Sequence, residues 1–506
     1  MFNRKLIITK RRFQFMTYSK KPEETLDPEN WEEFSVLGHE MLDDIITHII
    51  ESKTQPTRLA TKEEIRGLTV PLSKEGEGEK RAYESFIKNT LPSSVGAKNA
   101  RFWGHVVGGG SPYGVLADMV ASGLNWMDLP GYATYTINSQ ALNYIKEMLE
   151  YPLDASGLFL SGGSEANFTA LAVARNACAE IDLKTKGMQN VPKRMTLYVS
   201  DQGHDCLDRS VEILGFGNEA LRRLQSDSKY KINVDELRKS IKQDRDDGHH
   251  PFCIIGCAGT VNTGAFDDLN ALADLAEKEK MWLHVDGAFG AWVKLSKTHK
   301  HLVDGMERAD SLAVDLHKWM DMPYGIGCTL TRHPKEHLQT FVYGHEAAYL
   351  KTLNDRFQGL ITTAYLGMRL STHALAVKPY LLLRANGSDK YCRLVQQNID
   401  HINYLADLVN NQPDMEVCAP VESNIVCFRY KPRGLGEEQS EKLNRAILAY
   451  LSEISRGVVS DTQIKGKYVL RACNVNHRSS RKDFDWLVAE VGRLGEKLLL
   501  EVIGKI

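Results

Sequence analysis

The residue whose placement most calls for chemistry is Lys318, in the run Val314-Asp315-Leu316-His317-Lys318-Trp319, where an apolar β-rich segment ends. A four-carbon stem is costly to order and an ammonium is costly to bury. A lysine at a buried strand end is therefore seldom there for packing, and an amine used neutral, as nucleophile or imine, is the chemical reading set beside the plainer one of a side chain that reaches solvent. Asp286 ends a second β-run, Trp282-Leu283-His284-Val285-Asp286-Gly287-Ala288-Phe289-Gly290, 32 residues earlier. In a parallel sheet both side chains lie at the carboxyl ends of strands, the edge where open α/β sheets bind ligands. A carboxylate there would hold a protonated pyridine nitrogen and make the ring an electron sink, with Gly287 and Ala288 admitting a flat heterocycle close to the backbone.

Three further segments point to the same edge. Leu158-Phe159-Leu160-Ser161-Gly162-Gly163-Ser164-Glu165-Ala166-Asn167 reads as a strand breaking into glycines and then a helix, whose first N–H groups and dipole would bind an anion through Gly163, Ser164 and Glu165. His204, in Ser200-Asp201-Gln202-Gly203-His204-Asp205, would bring an imidazole able to stack on an aromatic ring. Thr260 lies in Gly259-Thr260-Val261-Asn262-Thr263-Gly264-Ala265-Phe266-Asp267-Asp268, which supplies hydroxyls ahead of a helix that Asp267 would cap. Each has a plainer reading alone: a solvent-reaching lysine, a turn-capping aspartate, an N-cap, a solvated loop histidine.

These residues need a sheet to hold them. Short apolar runs without polar alternation, MTLYVS (195–200), FCIIGCA (252–258), MWLHVD (281–286) and SLAVD (311–315), alternate with helical stretches between about 155 and 335. That pattern predicts a mainly parallel sheet buried on both faces. Beyond about 375 it changes to helices near 389–410 and 436–453, strands near 425–430 and 467–473, and a helix after Arg481, which predicts a smaller α+β domain. The segment 31–50 has apolar residues at helical spacing with nothing nearby to pack on, so it would wrap another domain or subunit. The expected division is 1–105 as an N-terminal arm and helices, 106–375 as the large domain and 376–506 as the small one.

The chain has 506 residues, 42% hydrophobic and 25% charged, with a formal charge of −2. Several globular domains are expected, and no concentrated basic field speaks for nucleic acid or an anionic membrane. Nine scattered cysteines without a C-x-x-C pair read as free thiols and suit a reducing cytoplasm. No stretch is apolar and long enough to span a bilayer. The first 22 residues carry seven basic side chains and no acid, which fits a transit-like arm, a basic tail, or a true start at Met16.

In this order and spacing, HVDGAFG, DLHKW, NVNTGAFD and SDQGH resemble the group II pyridoxal-phosphate-dependent amino-acid decarboxylases over residues 100–490, as do Arg101-Phe102-Trp103-Gly104-His105 and the run around Arg471. The resemblance implies an α/β, fold type I, aspartate-aminotransferase-like fold, a homodimer with active sites at the interface, and decarboxylation of an L-amino acid to its amine and carbon dioxide. It implies pyridoxal 5'-phosphate held by Lys318 as internal aldimine, Asp286 on the pyridine nitrogen, His204 and Ala288 on the two ring faces, and Gly163, Ser164 and His317 at the phosphate. Thr260 would lie near the other ring substituents and Tyr365 would return a proton to Cα. Two positions depart from the pattern: Thr372-His373 replaces the paired arginines usual after the mobile loop, and Asp315 stands where several relatives have asparagine. Substrate choice would come from side chains around Trp103, His105 and Val106 and the 343–371 loop, with aromatic amino acids preferred on family analogy.

Competing readings are transamination or carbon–carbon lysis on the same cofactor, which the tryptophan after Lys318 disfavours, and a non-catalytic protein that keeps the fold. A nicotinamide oxidoreductase lacks its G-x-G-x-x-G after a strand, and a metal hydrolase lacks H-E-x-x-H or a clustered ligand set.

Overall fold

The computed structural model describes residues 24–127, 132–342, 363–454 and 457–503. The basic segment 1–22 and most of the 343–371 loop lie outside them. The chain divides into two units, residues 1–47 and 48–506. In the first, the expected amphipathic helix forms as the greater part of Trp31–Ser52 and leaves Trp31, Phe34, Met41 and Ile46 exposed.

The second unit is built on two sheets. The larger has seven strands: β1 (Ser156–Leu160), β2 (Met195–Ser200), β3 (Leu221–Leu224), β4 (His250–Cys257), β5 (Trp282–Asp286), β6 (Ser311–Asp315) and β7 (Gly327–Thr331), in the order β1-β7-β6-β5-β4-β2-β3. Only β7 runs against the others, pairing antiparallel with both β1 and β6. All residues of β2, β5, β6 and β7 are buried, as expected of strands covered on both faces.

The smaller sheet, β8 (Met415–Val417), β9 (Ile425–Tyr430), β10 (Ser460–Ile464) and β11 (Lys467–Cys473), is antiparallel in the order β10-β11-β9-β8. The β10–β11 hairpin turns through Lys465 (φ 50°) and Gly466 (φ 77°), the double left-handed geometry that matches strand twist. Helices Val377–Asn410, Glu437–Ile454 and Arg481–Ile503 cover it, and Ile402, Leu443, Phe428, Leu470 and Phe484 form its core. Trp103 is fully buried in that core against Phe484, with its indole N–H donated to Ser479 Oγ. It is therefore a packing residue, not part of a substrate pocket.

Candidate active site

Parallel β5 and β6 are neighbours, with Asp286 opposite Ala313, so Asp286 and the residues after Asp315 leave the sheet at one edge. The register β1-β7-β6 sets Leu160, Gly327 and Asp315 side by side, and so carries Ser161-Gly162-Gly163 to that edge too. The segments after β2 and β4 add His204 and Thr260. Together these elements line a cavity of about 650 Å³, within the roughly 300–1,000 Å³ typical of small-molecule sites. Gly163, Ser164, His204, Thr260, Asp286, Ala288, His317 and Lys318 all line it. The two side chains on which the sequence reading rested, Lys318 and Asp286, thus open into one space.

Lys318 Nζ lies 3.1 Å from Asp315 Oδ2. Asp315 is 1% exposed, and its other oxygen, Oδ1, has no hydrogen-bond partner. Asp286 accepts the Ala288 N–H on Oδ1 at 3.1 Å, which shapes the turn that brings Ala288 to the cavity wall. Behind it, on the same strand, buried His284 is held neutral by desolvation, which lowers its pKa to about 4. Its Nε2 meets Asn167 Oδ1 at 2.7 Å and its Nδ1 meets Ser311 Oγ at 2.9 Å.

Helix Gly163–Cys178 begins at the cavity with no side-chain cap, so the first amide N–H groups have no internal acceptor. A Cβ on Gly163 would stand 2.8 Å from Asp315 Oδ2, and one on Gly162 2.9 Å from His317 Cε1. Glycine is required for this close approach. His317 accepts the Ile326 N–H on Nδ1 at 3.3 Å, while burial lowers its pKa. The neutral ring therefore carries its proton on Nε2, facing the glycines. Glu165, at the same helix start, accepts from Ser161 and pairs with Arg369 at 2.7 Å.

Other expected residues fall differently. Thr260 is buried with its hydroxyl already engaged by Thr263 Oγ1 and the Ala265 N–H, both at 3.1 Å, so it shapes the loop. Asp267 does not cap the following helix: that N-cap is Asp268, which accepts the Ala271 N–H. Asp267 is buried and accepts the Cys257 and Ile232 N–H groups at 2.7 Å, tying β4 to a neighbouring loop. Trp319 is buried, bonded to Asn398 Oδ1 at 3.1 Å. Tyr365 sits in the turn Thr363–Tyr365 and does not line the cavity.

Arg471 is a site residue that sequence reasoning did not assign. From β11 its Nε donates to Asn262 O at 3.2 Å, and its Nη1 to His105 O and Ser460 Oγ, both at 3.1 Å. Its Nη2 is buried at the cavity with no partner. A guanidinium group fixed by three bonds keeps donor capacity on Nη2 for an incoming acceptor. His105, in the left-handed region at φ 56°, and Val106 form the adjoining wall. A second feature missed is Gly108-Gly109-Gly110, packed behind the lysine. Gly109 N–H donates to Asp321 Oδ1 at 2.9 Å, and Arg478 donates to the carbonyls of Gly109 and Gly110.

Comparison with known proteins places this geometry in context. Residues 65–431 match the family model of the pyridoxal-dependent decarboxylase conserved domain. The chain is 34% identical over 479 residues to an aromatic-L-amino-acid decarboxylase of Bacillus atrophaeus, covering 92% of this chain and 96% of that one. It is 26% identical to human cysteine sulfinic acid decarboxylase, covering 85% and 89%. In fold it is similar to Oryza sativa TDC solved with PLP and tryptamine, with a TM-score of 0.86 at 20% identity over 94% of this chain and all of that one.

Proposed function

The chain belongs to the pyridoxal-dependent amino-acid decarboxylases, and from that premise we propose that its substrate is an aromatic L-amino acid and that the cavity residues divide the work as follows. The carboxy-lyase activity and the use of pyridoxal phosphate come with the family. Shared ground for the roles is one observation: Lys318 and Asp286 face the same 650 Å³ cavity, beside a glycine cradle and an uncapped helix start.

The cavity suits the cofactor. Lys318 would hold it covalently, and Asp286 would keep the proton on the pyridine nitrogen. The amides of Gly163 and Ser164 with His317 Nε2–H would take the phosphate. His204 and Ala288 would bracket the ring, with Thr260 shaping the loop beside it. When bound, the cofactor supplies a sink for the electron pair left as the Cα–carboxylate bond breaks. Arg471 Nη2 would grip the substrate carboxylate and so orient it, while Val106 and His105 flank the side chain.

The aromatic assignment draws on the Bacillus atrophaeus relative and on this half-apolar wall. Tyr365 lies off the cavity within one subunit, and its role in returning a proton to Cα is assigned to the homodimer, to which the exposed apolar face of helix Trp31–Ser52 would contribute. Nine free thiols favour a cytoplasmic setting, and the boundaries 1–105, 106–375 and 376–506 serve as the domain division.

The test is carbon dioxide release from a panel of phenylalanine, tyrosine, tryptophan, aspartate and glutamate, with ketoacid measured alongside. Lys318→Ala is expected to abolish turnover and the visible band of bound cofactor. Stoichiometric ketoacid would overturn decarboxylation, and preference for aspartate or glutamate would overturn the aromatic assignment.

A further inference from the structure

The cradle that suits a phosphate contains a carboxylate. Asp315 Oδ1 is buried, without a partner, and a Cβ on Gly327 would fall 2.7 Å from it. The imidazole Nε2 of His317 is 3.7 Å away, beyond hydrogen-bond reach. The charge on Asp315 is met on its other oxygen by Lys318 Nζ at 3.1 Å. Around it, Tyr324 stacks on His317 with ring centroids 4.7 Å apart, Glu165 is turned to Arg369, Lys378 is paired with Asp118, and Asp286 stands on the neighbouring strand. Besides Lys318 and the His317 ring, no basic side chain is paired with Asp315 among the described residues.

Were Lys318 drawn into a covalent bond with the cofactor, its nitrogen would leave the 3.1 Å contact that balances Asp315, and the phosphate would lie beside that carboxylate. Two anionic oxygens would then meet at the buried Asp315 carboxylate with no cation between them. Taking the residue roles proposed above as given, we propose that the loaded cradle holds one extra proton, shared between Asp315 Oδ1 and a phosphate oxygen, so that Asp315 binds the phosphate as a hydrogen-bond donor. No bond to carbon is made or broken in this step. Condensation of the Lys318 amine with the aldehyde would release water and any proton the nitrogen gives up, for pyridoxal and pyridoxal phosphate alike. The proton at Asp315 would be one more than pyridoxal capture holds, drawn from solvent and returned on loss of the cofactor. The amides of Gly163 and Ser164 and His317 Nε2–H contribute the remaining donors.

The consequence is a linkage between pH and cofactor retention. Binding that takes up one additional proton weakens about tenfold more per pH unit than binding that does not. The experiment measures the affinity of the cofactor-free full chain for pyridoxal phosphate, and for pyridoxal without its phosphate, across about pH 7 to 9, in the wild type and in Asp315→Asn. Asparagine keeps the shape and donates an N–H without a titrating proton. The expected result is a wild-type slope for pyridoxal phosphate about one unit steeper than for pyridoxal, and no such difference in Asp315→Asn. Should that variant fail to fold, the wild-type comparison of the two ligands decides alone. Equal slopes for both ligands in the wild type, or an unchanged difference in Asp315→Asn, would overturn the shared proton. Lys318→Ala separates the two levels: a visible band that survives in it defeats the lysine's assigned role, whereas equal slopes with that band abolished defeat only the proton on Asp315.

Discussion

Gly108→Ala is the sharpest probe of how the lysine is held. A Cβ at Gly108 would fall inside the contact distance of the carbonyl oxygens of both His317 and Lys318, and 3.1 Å from His317 C. All are backbone atoms, so no rotamer change relieves the clash and the segment carrying Lys318 must retreat by about 1 Å to restore ordinary contact. Overpacking of this kind costs about 1–3 kcal/mol of stability, and a displacement of about 1 Å at a reacting group lowers turnover about 100-fold. The variant should therefore fold, melt several degrees lower, bind cofactor, and lose about two orders of magnitude in kcat with a smaller change in KM. The control is Gly123→Ala, in helix Pro112–Leu124 with open space around the new methyl, which should be neutral or stabilising by up to about 1 kcal/mol. The assay is carbon dioxide release at saturating cofactor, with melting curves for both variants. Wild-type kcat in a folded Gly108→Ala protein would refute the claim that this glycine loop sets the position of Lys318.

Arg471→Met should leave cofactor binding intact and reduce kcat/KM by about 10- to 100-fold, the loss expected of a charge-assisted hydrogen bond of about 1.5–3 kcal/mol; steady-state kinetics on the preferred amino acid check it, and Arg471→Lys should recover only part. Buried Asp321 has its pKa raised to about 7 by desolvation, above its ordinary value of 3.8. The fold thus favours its protonated form, so its contribution is fully present below the unfolded value and is lost as pH rises to about 7. Melting temperatures across about pH 5 to 8 should fall less in Asp321→Asn than in the wild type, since asparagine can still accept the Gly109 N–H without ionising.

The chemistry was legible where it depended on local sequence. A lysine or aspartate directly after an apolar run announces a strand end, and β2, β6, β9 and β11 match their expected spans residue for residue. What escaped depended on partners distant in the chain. Gly327-Cys328-Thr329-Leu330-Thr331 follows Pro323 and Gly325 and reads as more of the lysine loop; it becomes β7 only because β1 and β6 offer it ladders on both sides. Gly108-Gly109-Gly110 is visible as a glycine run, but the need for it lies in the backbone of His317 and Lys318, more than 200 residues away. Arg471 reads as an ordinary strand arginine until residues 105, 262 and 460 are brought around it.

The antiparallel strand also sets the spacing at this edge of the cavity. Were β1 hydrogen-bonded directly to β6, the segment Ser161-Gly162-Gly163 would leave the sheet one strand spacing, about 4.8 Å, nearer to Asp315. With β7 interposed, its first residue lies between Leu160 and Asp315, and a side chain there would strike both Gly162 and Asp315 Oδ1. Gly327 thus lets the glycines ahead of the uncapped helix start pack within one strand of the carboxylate, with His317 beside Gly162. Helix start, imidazole and lysine reach this edge of the cavity from different segments, yet a single strand insertion sets their separation. An anion in the cavity would accept from the helix amides and from the imidazole N–H at once, which is the physical ground for the phosphate role proposed for Gly163, Ser164 and His317.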